Sequence, residues 1–229
     1  MIQYRKKIVS EMKFKKSPYD VAAITDIRFV VTVPDDGSVH FMSLKKQHIV
    51  SDRKVNISVT CLGIAYSKDK LVVSCGNQGK VLVLDLQGKI LQSFSGDNSL
   101  FSFPHYVTVN TAGTSIYVSD SGYYVMAVKQ LDWQGNVINT YQAGNLEGIC
   151  ELNDGTLLVC LYQDSDDNLR RISDSCKPCN ITINENVCGW YASAVAYCKK
   201  TKKLYVSYSG RDETGEINES FIKVFTVQW

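Results

Sequence analysis

Two cysteines three residues apart form the motif in this sequence with the most familiar chemistry. Cys176 and Cys179 are the C-x-x-C of the segment CKPC. A structural zinc site needs a second pair of ligands, but Cys188 and Cys198 follow without the required spacing and no histidine is near. A thioredoxin-type redox pair precedes a helix, whereas the next segment, NITINENV, has no helical pattern. The motif therefore favours a polar turn with two free thiols.

An acidic cluster, DSDDN at residues 164–168, resembles a calcium-binding loop in composition. It lacks the central glycine and the closing bidentate glutamate of such loops, so we interpret it as a solvated loop. With only three histidines, at 40, 48 and 105, no Ser-His-Asp set can be argued. Neither a G-x-S-x-G nor a phosphate-binding loop is present. The sequence predicts no catalytic residue, no metal and no cofactor.

Composition limits the cellular setting. The net charge is +2, no apolar run approaches the roughly 18 residues that span a bilayer, and the first 16 residues lack the apolar stretch of a secretory signal. We expect a cytoplasmic protein that does not enter the membrane, with its eight cysteines reduced. The three N-x-S/T triplets, at Asn56, Asn180 and Asn218, are then chance occurrences.

An internal repeat organises the chain. The segments DLQGKILQSF (85–94) and DWQGNVINTY (132–141) share an acid, a glycine three residues later and a mixed apolar run, offset by 47 residues. Short apolar runs recur with spacings of 43, 43, 42 and 46 residues. A period of about 40–45 residues is typical of propeller blades, whereas a β-sandwich shows strands every 8–12 residues without this longer period. The recurring anchors are Val21, Ile64, Val107, Ile149 and Val195.

Each unit has the pattern of four short strands joined by tight turns rich in glycine, asparagine and aspartate. The sequence predicts an all-β fold, a β-propeller of five four-stranded blade units in a single domain. The two quoted segments are the turns between third and fourth strands of neighbouring blades. The predicted blades cover residues 18–58, 60–96, 104–143, 146–188 and 191–229.

The last unit has the pattern of only three strands. Residues 5–15, which belong to none of the five units, alternate apolar and polar residues as a half-buried strand does. We predict that residues 5–15 pair with the C-terminal blade and close the ring, which leaves no free edge. The alternative is an open, truncated six-bladed propeller.

The segments SPYDVAAITDIRFVVTVPDDGSVHFMSL and CLGIAYSKDKLVVSCGNQGKVLVLDLQGKIL resemble blades of the TRIM-NHL (tripartite motif) family, especially the expanded TRIM-like proteins of molluscs. The matching residues are 18–22 (PYDVA) and 31–34 (VTVP), and the resemblance extends from about residue 8 to the end. It implies an NHL-like, six-bladed propeller used for binding. In relatives, this propeller is the substrate-recognition part of a RING-type ubiquitin ligase. This sequence has no RING or B-box array of cysteine and histidine and no coiled coil.

Antiparallel order places the starts of the first strands, the second-to-third loops and the fourth-to-first connections on one face, which carries the longest and most variable loops. Aromatic residues and arginine are typical interface anchors; the alternative is that several tyrosines only line seams between blades. The candidate partner-binding residues on this face are Tyr19, Asp20, His105, Tyr106, Tyr123, Tyr124, Trp190, Tyr191 and Arg211.

We therefore expect a non-catalytic module that binds a protein or peptide partner and no small-molecule substrate. The alternative is single-stranded RNA, since basic clusters occur at residues 5–7, 13–16, 45–46 and 199–203. A lactonase-like propeller enzyme is the third hypothesis. It requires carboxylates or asparagines from several blades to converge on the axis, and no such set repeats by position.

Overall fold

The structure is a computed structural model of the 229-residue chain. It describes residues 10–95, 100–122, 126–144, 146–161, 169–179, 190–211 and 217–226. In these ranges the regular structure is β, apart from two single 3-10 turns, Pro34–Asp36 and Gly76–Gln78. Neither turn approaches the length or apolar character of a helix that crosses a membrane.

Eighteen strands in the described ranges form five separate antiparallel sheets, each a meander, so the predicted all-β propeller of five blade units is confirmed. Blade 1 consists of β1 (Val21–Thr25), β2 (Arg28–Val33), β3 (Ser38–Lys45) and β4 (His48–Asn56). Blade 2 consists of β5 (Ile64–Ser67), β6 (Lys70–Cys75), β7 (Lys80–Asp85) and β8 (Ile90–Phe94). Blade 3 consists of β9 (Pro104–Val109), β10 (Ile116–Ser121), β11 (Met126–Leu131) and β12 (Val137–Gln142). Blade 4 consists of β13 (Leu146–Glu151), β14 (Leu157–Leu161) and β15 (Leu169–Ile172). Blade 5 consists of β16 (Trp190–Cys198), β17 (Lys203–Arg211) and β18 (Ile217–Thr226).

A hydroxyl at one repeated position fixes where each first strand begins. Thr32, Ser74, Ser119 and Ser207 each follow a valine in the second strand, and each side-chain oxygen accepts a backbone N–H from the first strand of its own blade. The four N···O distances lie between 2.8 and 3.0 Å. In blade 4 the same position is Cys160, which is fully buried. The donors are Asp20, Gly63, Tyr106 and Ala194.

The two quoted repeat segments form the same turn, as predicted. Asp85 Oδ1 accepts the backbone N–H groups of Gln87 and Lys89 at 2.9 and 2.8 Å. Asp132 Oδ1 accepts those of Gln134 and Asn136 at the same two distances. The third residue after each aspartate has φ near +90°, at Gly88 and Gly135, which is the left-handed region where glycine carries no steric penalty. These turns join β7 to β8 and β11 to β12.

Apolar clusters hold successive blades together. In the described residues there are four of them, one at each seam from blade 1–blade 2 to blade 4–blade 5. First strands approach closely at the axis: a Cβ on Gly63 would lie 2.7 Å from the His105 carbonyl oxygen, and one on Gly148 would lie 2.7 Å from Ala194 Cα. Glycine at these positions is therefore what lets neighbouring first strands come together.

The N-terminal segment departs from the prediction that residues 5–15 pair with the last blade. Residues 5–9 lie outside the described ranges, and residues 10–15 form no strand. Instead, Ser10 Oγ accepts the Ile49 N–H at 3.0 Å, and the Phe14 ring packs edge-on against His40 at 5.4 Å, so residues 10–15 lie against blade 1. The predicted alternation is real, since Ser10, Met12 and Phe14 are half-buried. It reflects side-chain packing on a blade face rather than pairing with β18.

Candidate functional site

The starts of the first strands form a ring around the axis. The residue two before each repeat anchor stands at this ring, and the five blades contribute Tyr19, Leu62, His105, Glu147 and Ser193. Hydrogen bonds between blades hold the ring together: the Gly63 N–H and the Ser74 hydroxyl both donate to the His105 carbonyl oxygen. The backbone that carries the His105 side chain is therefore fixed by blade 2.

A tyrosine, a histidine and a glutamate from three blades meet at the ring. The Tyr19 hydroxyl hydrogen-bonds Nε2 of His105. Nδ1 of His105 lies 3.2 Å from Oε2 of Glu147, in ion-pair range but without the alignment of a hydrogen bond. The His105 and Glu147 side chains are 16% and 27% exposed. A phenol hydroxyl therefore contacts one nitrogen of the imidazole while a carboxylate faces the other.

Asp20 supplies a second carboxylate beside this chain of contacts. Its Oδ2 accepts the Ile64 N–H and its Oδ1 accepts the Val21 N–H, both at 2.8 Å. Burial raises the pKa of Asp20 to about 6, although these two hydrogen bonds act to lower it. Keeping Asp20 ionised in the folded chain therefore costs more free energy than keeping it ionised in water.

Aromatic rings surround the two carboxylates. The Tyr106 ring lies 5.6 Å from that of Tyr19 and 4.8 Å from that of His105, and Phe103 lies 5.8 Å from His105. Burial is the main reason that the pKa values of Tyr19 and Tyr106 are raised, and the nearby charges of Glu147 and Asp20 raise both further. Both carboxylates thus lie close to both phenols. We call Tyr19, Asp20, His105, Tyr106 and Glu147 the axial mouth.

The axial mouth opens into a channel along the propeller axis. The cavity has a volume of about 730 Å³ and is lined by all five first strands, with Tyr19, Asp20 and Tyr106 at the mouth. Its far end carries Glu151, which accepts hydrogen bonds from Lys199 at 2.8 Å and from the Thr111 N–H at 2.9 Å. Burial alone would raise the pKa of Glu151, but these hydrogen bonds hold it below its usual value. The far carboxylate is therefore neutralised by a lysine.

The structure brings together four of the nine residues predicted for the partner-binding face: Tyr19, Asp20, His105 and Tyr106. Tyr191 lies near the start of β16, and Trp190 and Arg211 lie at the start of β16 and the end of β17, where only their backbone is described. Tyr123 and Tyr124 lie outside the described residues. A role for these nine residues in partner binding stays a prediction.

Sequence reasoning missed Glu147, although the repeat itself carried the signal. Glu147 stands two residues before the anchor Ile149, just as His105 stands two before Val107 and Tyr19 two before Val21. Comparing side chains at that one position in every unit would have identified it.

The cysteine motif differs in one respect from the predicted polar turn. Cys176 is 5% exposed and packs in the apolar cluster between blades 3 and 4, and burial raises its pKa to about 11. Cys179 is partly exposed, and its N–H donates to the Arg171 carbonyl oxygen at 3.0 Å. Across the described ranges, no group of three or more histidine, cysteine, aspartate or glutamate side chains is placed to hold a metal. The acidic cluster at residues 164–168 falls outside those ranges.

Comparisons with known proteins identify the fold but no family. No protein-family model matches the chain, and no curated protein matches it in sequence. Hydrazine synthase from Kuenenia stuttgartiensis matches with a TM-score of 0.66 and 16% identity, over 95% of this chain and 65% of that chain. A streptogramin B lyase matches at 0.60 and 12%, over 93% of this chain and 83% of the lyase. A catalytically inactive histidine-to-alanine variant of virginiamycin B lyase from Staphylococcus aureus, solved with quinupristin, matches at 0.63 and 15%, over 95% and 73%.

This chain thus spans about two thirds of the hydrazine synthase chain, and the likeness shows a β-propeller without a finer family. The comparisons contradict the expectation that the chain is not an enzyme, since the propellers that share its fold include lyases and a synthase. That expectation rested on missing sequence motifs. Motifs such as G-x-S-x-G consist of residues close together in the sequence, whereas the residues of the axial mouth come from three different blades.

Proposed function

We propose that the axial mouth is a recognition site for a peptide segment of a partner protein. The observation that carries this is the convergence of two carboxylates, an imidazole and two phenols, of which Tyr19, Asp20 and Tyr106 line a cavity of about 730 Å³. Concave sites with aromatic walls and a few placed polar groups are where proteins bind ligands. The resemblance to NHL-type propellers, which are binding domains, supports the same role.

The charges at the two ends of the channel favour a peptide over RNA. The axial mouth carries two acids, which repel phosphate, whereas the lysines of the predicted basic clusters at 45–46 and 199–203 lie in turns or at the strand ends beside them, at the opposite end of the blades. RNA bound to those lysines would be insensitive to changes at the axial mouth and would weaken steeply with salt.

The test is selection of random heptapeptides displayed on phage against the purified chain, followed by fluorescence anisotropy with the selected peptides. We expect micromolar binding that Tyr106→Ala weakens by about tenfold, because an aromatic anchor at the centre of an interface contributes most of its affinity. Asp26→Asn, in an exposed turn at the opposite end, is the control and leaves binding unchanged. Peptides that bind equally well to Tyr106→Ala would overturn the proposal.

A second candidate function is proton transfer by His105. Its Nε2 is bound by a phenol and its Nδ1 faces a carboxylate, an arrangement that holds an imidazole in one orientation for use as a base. The loss of activity in a lyase of the same fold when one histidine is replaced is consistent with such a role.

The probe for proton transfer is 5-nitrobenzisoxazole, whose ring opens when a base removes its C3 proton as the N–O bond breaks, giving a coloured phenolate. The proton is taken by His105 Nε2, which requires the Tyr19 hydroxyl to turn away from that nitrogen, and then passes to water. We expect His105→Ala to lower the rate by about tenfold or more and Glu147→Gln to displace the pH profile. A rate that His105→Ala leaves unchanged would remove this candidate.

The cytoplasmic location remains part of the proposal. The seven cysteines in the described ranges are unpaired thiols, as is usual where glutathione keeps thiols reduced.

A further inference from the structure

No lysine or arginine in the described ranges pairs with either carboxylate of the axial mouth, whereas the two most buried acids among the ion pairs, Asp120 and Glu151, at 0% and 10% side-chain exposure, each pair with a lysine. Asp36, Asp52, Asp120, Asp154 and Glu151 each contact a basic side chain within ion-pair distance. Asp20 accepts two backbone N–H groups and lies near His105, Glu147 lies in ion-pair range of His105, and both acids lie close to Tyr19 and Tyr106. Within the described residues, no lysine or arginine offsets the charge of these two acids, and His105 is the basic side chain beside them.

Aromatic rings stand beside these two acids. Tyr19, Tyr106 and His105 form a set of rings with centroids 4.8 to 5.6 Å apart. Aromatic faces attract cations through their quadrupoles, and the attraction strengthens when the site is partly desolvated. Glu147 keeps 27% of its side chain exposed, so a group entering from solvent can reach it.

A ligand's own positive charge would supply the missing compensation. An ammonium or guanidinium group presents N–H donors to both carboxylates and a cation to the phenol rings. An anionic or purely apolar group would leave both acids unpaired in a half-buried site, which is costly. The contrast with Glu151, held by Lys199 inside the same channel, shows how this chain stabilises a buried carboxylate when it supplies the cation itself.

We propose that the axial mouth recognises a cationic group, the side chain of a lysine or arginine or a free amino terminus, and that Asp20 and Glu147 bind its charge. This inference rests on the proposed peptide-binding function and names the chemistry of the group that enters.

The direct test uses two matched probes, N-acetyl-lysine methylamide and N-acetyl-norleucine methylamide, which have similar side-chain length and differ in charge. Binding is followed by proton NMR on the full chain at pH 7.5. We expect the lysine probe to bind at least about tenfold more tightly than the norleucine probe. Glu147→Gln and Asp20→Asn should each remove most of that preference, whereas Asp26→Asn, the same substitution as Asp20→Asn at an exposed turn, leaves it unchanged.

Two results overturn the inference: equal affinity for the two probes, or a lysine preference that survives both Glu147→Gln and Asp20→Asn. The phage selection separates this failure from failure of the proposed function. Selected peptides that depend on Tyr106 but are not enriched in lysine or arginine would keep peptide recognition and refute the cationic group. If no selected peptide depends on Tyr106, both are refuted.

Discussion

Replacing Asp120 by alanine is the sharpest test of how the structure supports the axial mouth. Asp120 is fully buried in β10 and binds the segment that leads to His105: its Oδ1 accepts the N–H groups of Ser102 at 3.0 Å and Phe103 at 2.6 Å. Its Oδ2 lies 2.7 Å from Nζ of Lys129, whose side chain is 11% exposed. One carboxylate thus holds two backbone groups and one cation.

The magnitude follows from what Asp120→Ala leaves behind. Among the described residues, Lys129 keeps the Leu100 carbonyl oxygen, 2.5 Å away, as its hydrogen-bond acceptor, and two backbone N–H groups lose theirs. Removing one partner of a buried ion pair costs about 3–5 kcal/mol. We expect the free energy of unfolding to fall by about 4 kcal/mol, which for a domain of this size lowers Tm by roughly 10 °C.

The assay is urea unfolding followed by tryptophan fluorescence, on a double-mutant cycle of Asp120→Ala and Lys129→Met. Lys129→Met in the Asp120→Ala background removes the unpaired cation, so we expect the double variant to be more stable than Asp120→Ala by about 1–2 kcal/mol. Asp120→Asn keeps an oxygen for the Phe103 N–H and should lose less than Asp120→Ala.

Two outcomes would refute this reasoning: a loss below about 1 kcal/mol for Asp120→Ala, the level of an ordinary surface change, or strictly additive effects of the two substitutions. A consequence for the site can be measured as well. Because Phe103 packs 5.8 Å from the His105 ring, Asp120→Ala should also weaken binding of the lysine probe.

Three further substitutions test other features. Gly148→Ala places a Cβ 2.7 Å from Ala194 Cα and should lower the urea midpoint by an amount equal to about 1–3 kcal/mol; an unchanged midpoint would contradict the close approach of the first strands. Burial raises the pKa of Asp20 from its ordinary value of 3.8 to about 6 in the folded chain, so its contribution to stability falls as pH rises between those values. Asp20→Asn should therefore be more stable than the parent at pH 7.5 by about 1 kcal/mol after allowance for solvent screening, with no difference near pH 4; the reverse order would contradict the raised pKa. Lys199→Met removes the cation beside Glu151, whose pKa is lowered, so it should cost at most about 1 kcal/mol at pH 7 and less at pH 3; an equal loss at both pH values would show that the ion pair contributes nothing.

The blades were predictable from sequence because their signals are local. Each turn such as Asp85–Lys89 closes its own hydrogen bonds within five residues, so the same letters give the same geometry wherever they occur. The face that collects Tyr19 and His105 followed from antiparallel order alone. The whole axial mouth did not, since Glu147 belongs to it only through alignment of the five units.

The N-terminal segment shows what local patterns leave open. Alternation at residues 10–15 indicates that one side of an extended segment is buried, but it does not say against which surface. His40 and Ile49 of blade 1 provide that surface in the structure. The outcome depends on competition between two distant surfaces, and no feature of those six residues distinguishes them.

The four apolar clusters join the five blades as a linear series of neighbours, and none of the four joins blade 5 to blade 1. Within the described ranges, blades 2, 3 and 4 each share an apolar cluster with two neighbours, while blades 1 and 5 share one each and meet through Lys200 and Asp26, 3.8 Å apart and both more than 80% exposed. In such a nearest-neighbour array the terminal units open first and at lowest cost. Amide hydrogen exchange should then be fastest at the two ends of the chain and slowest in blade 3, which anchors His105.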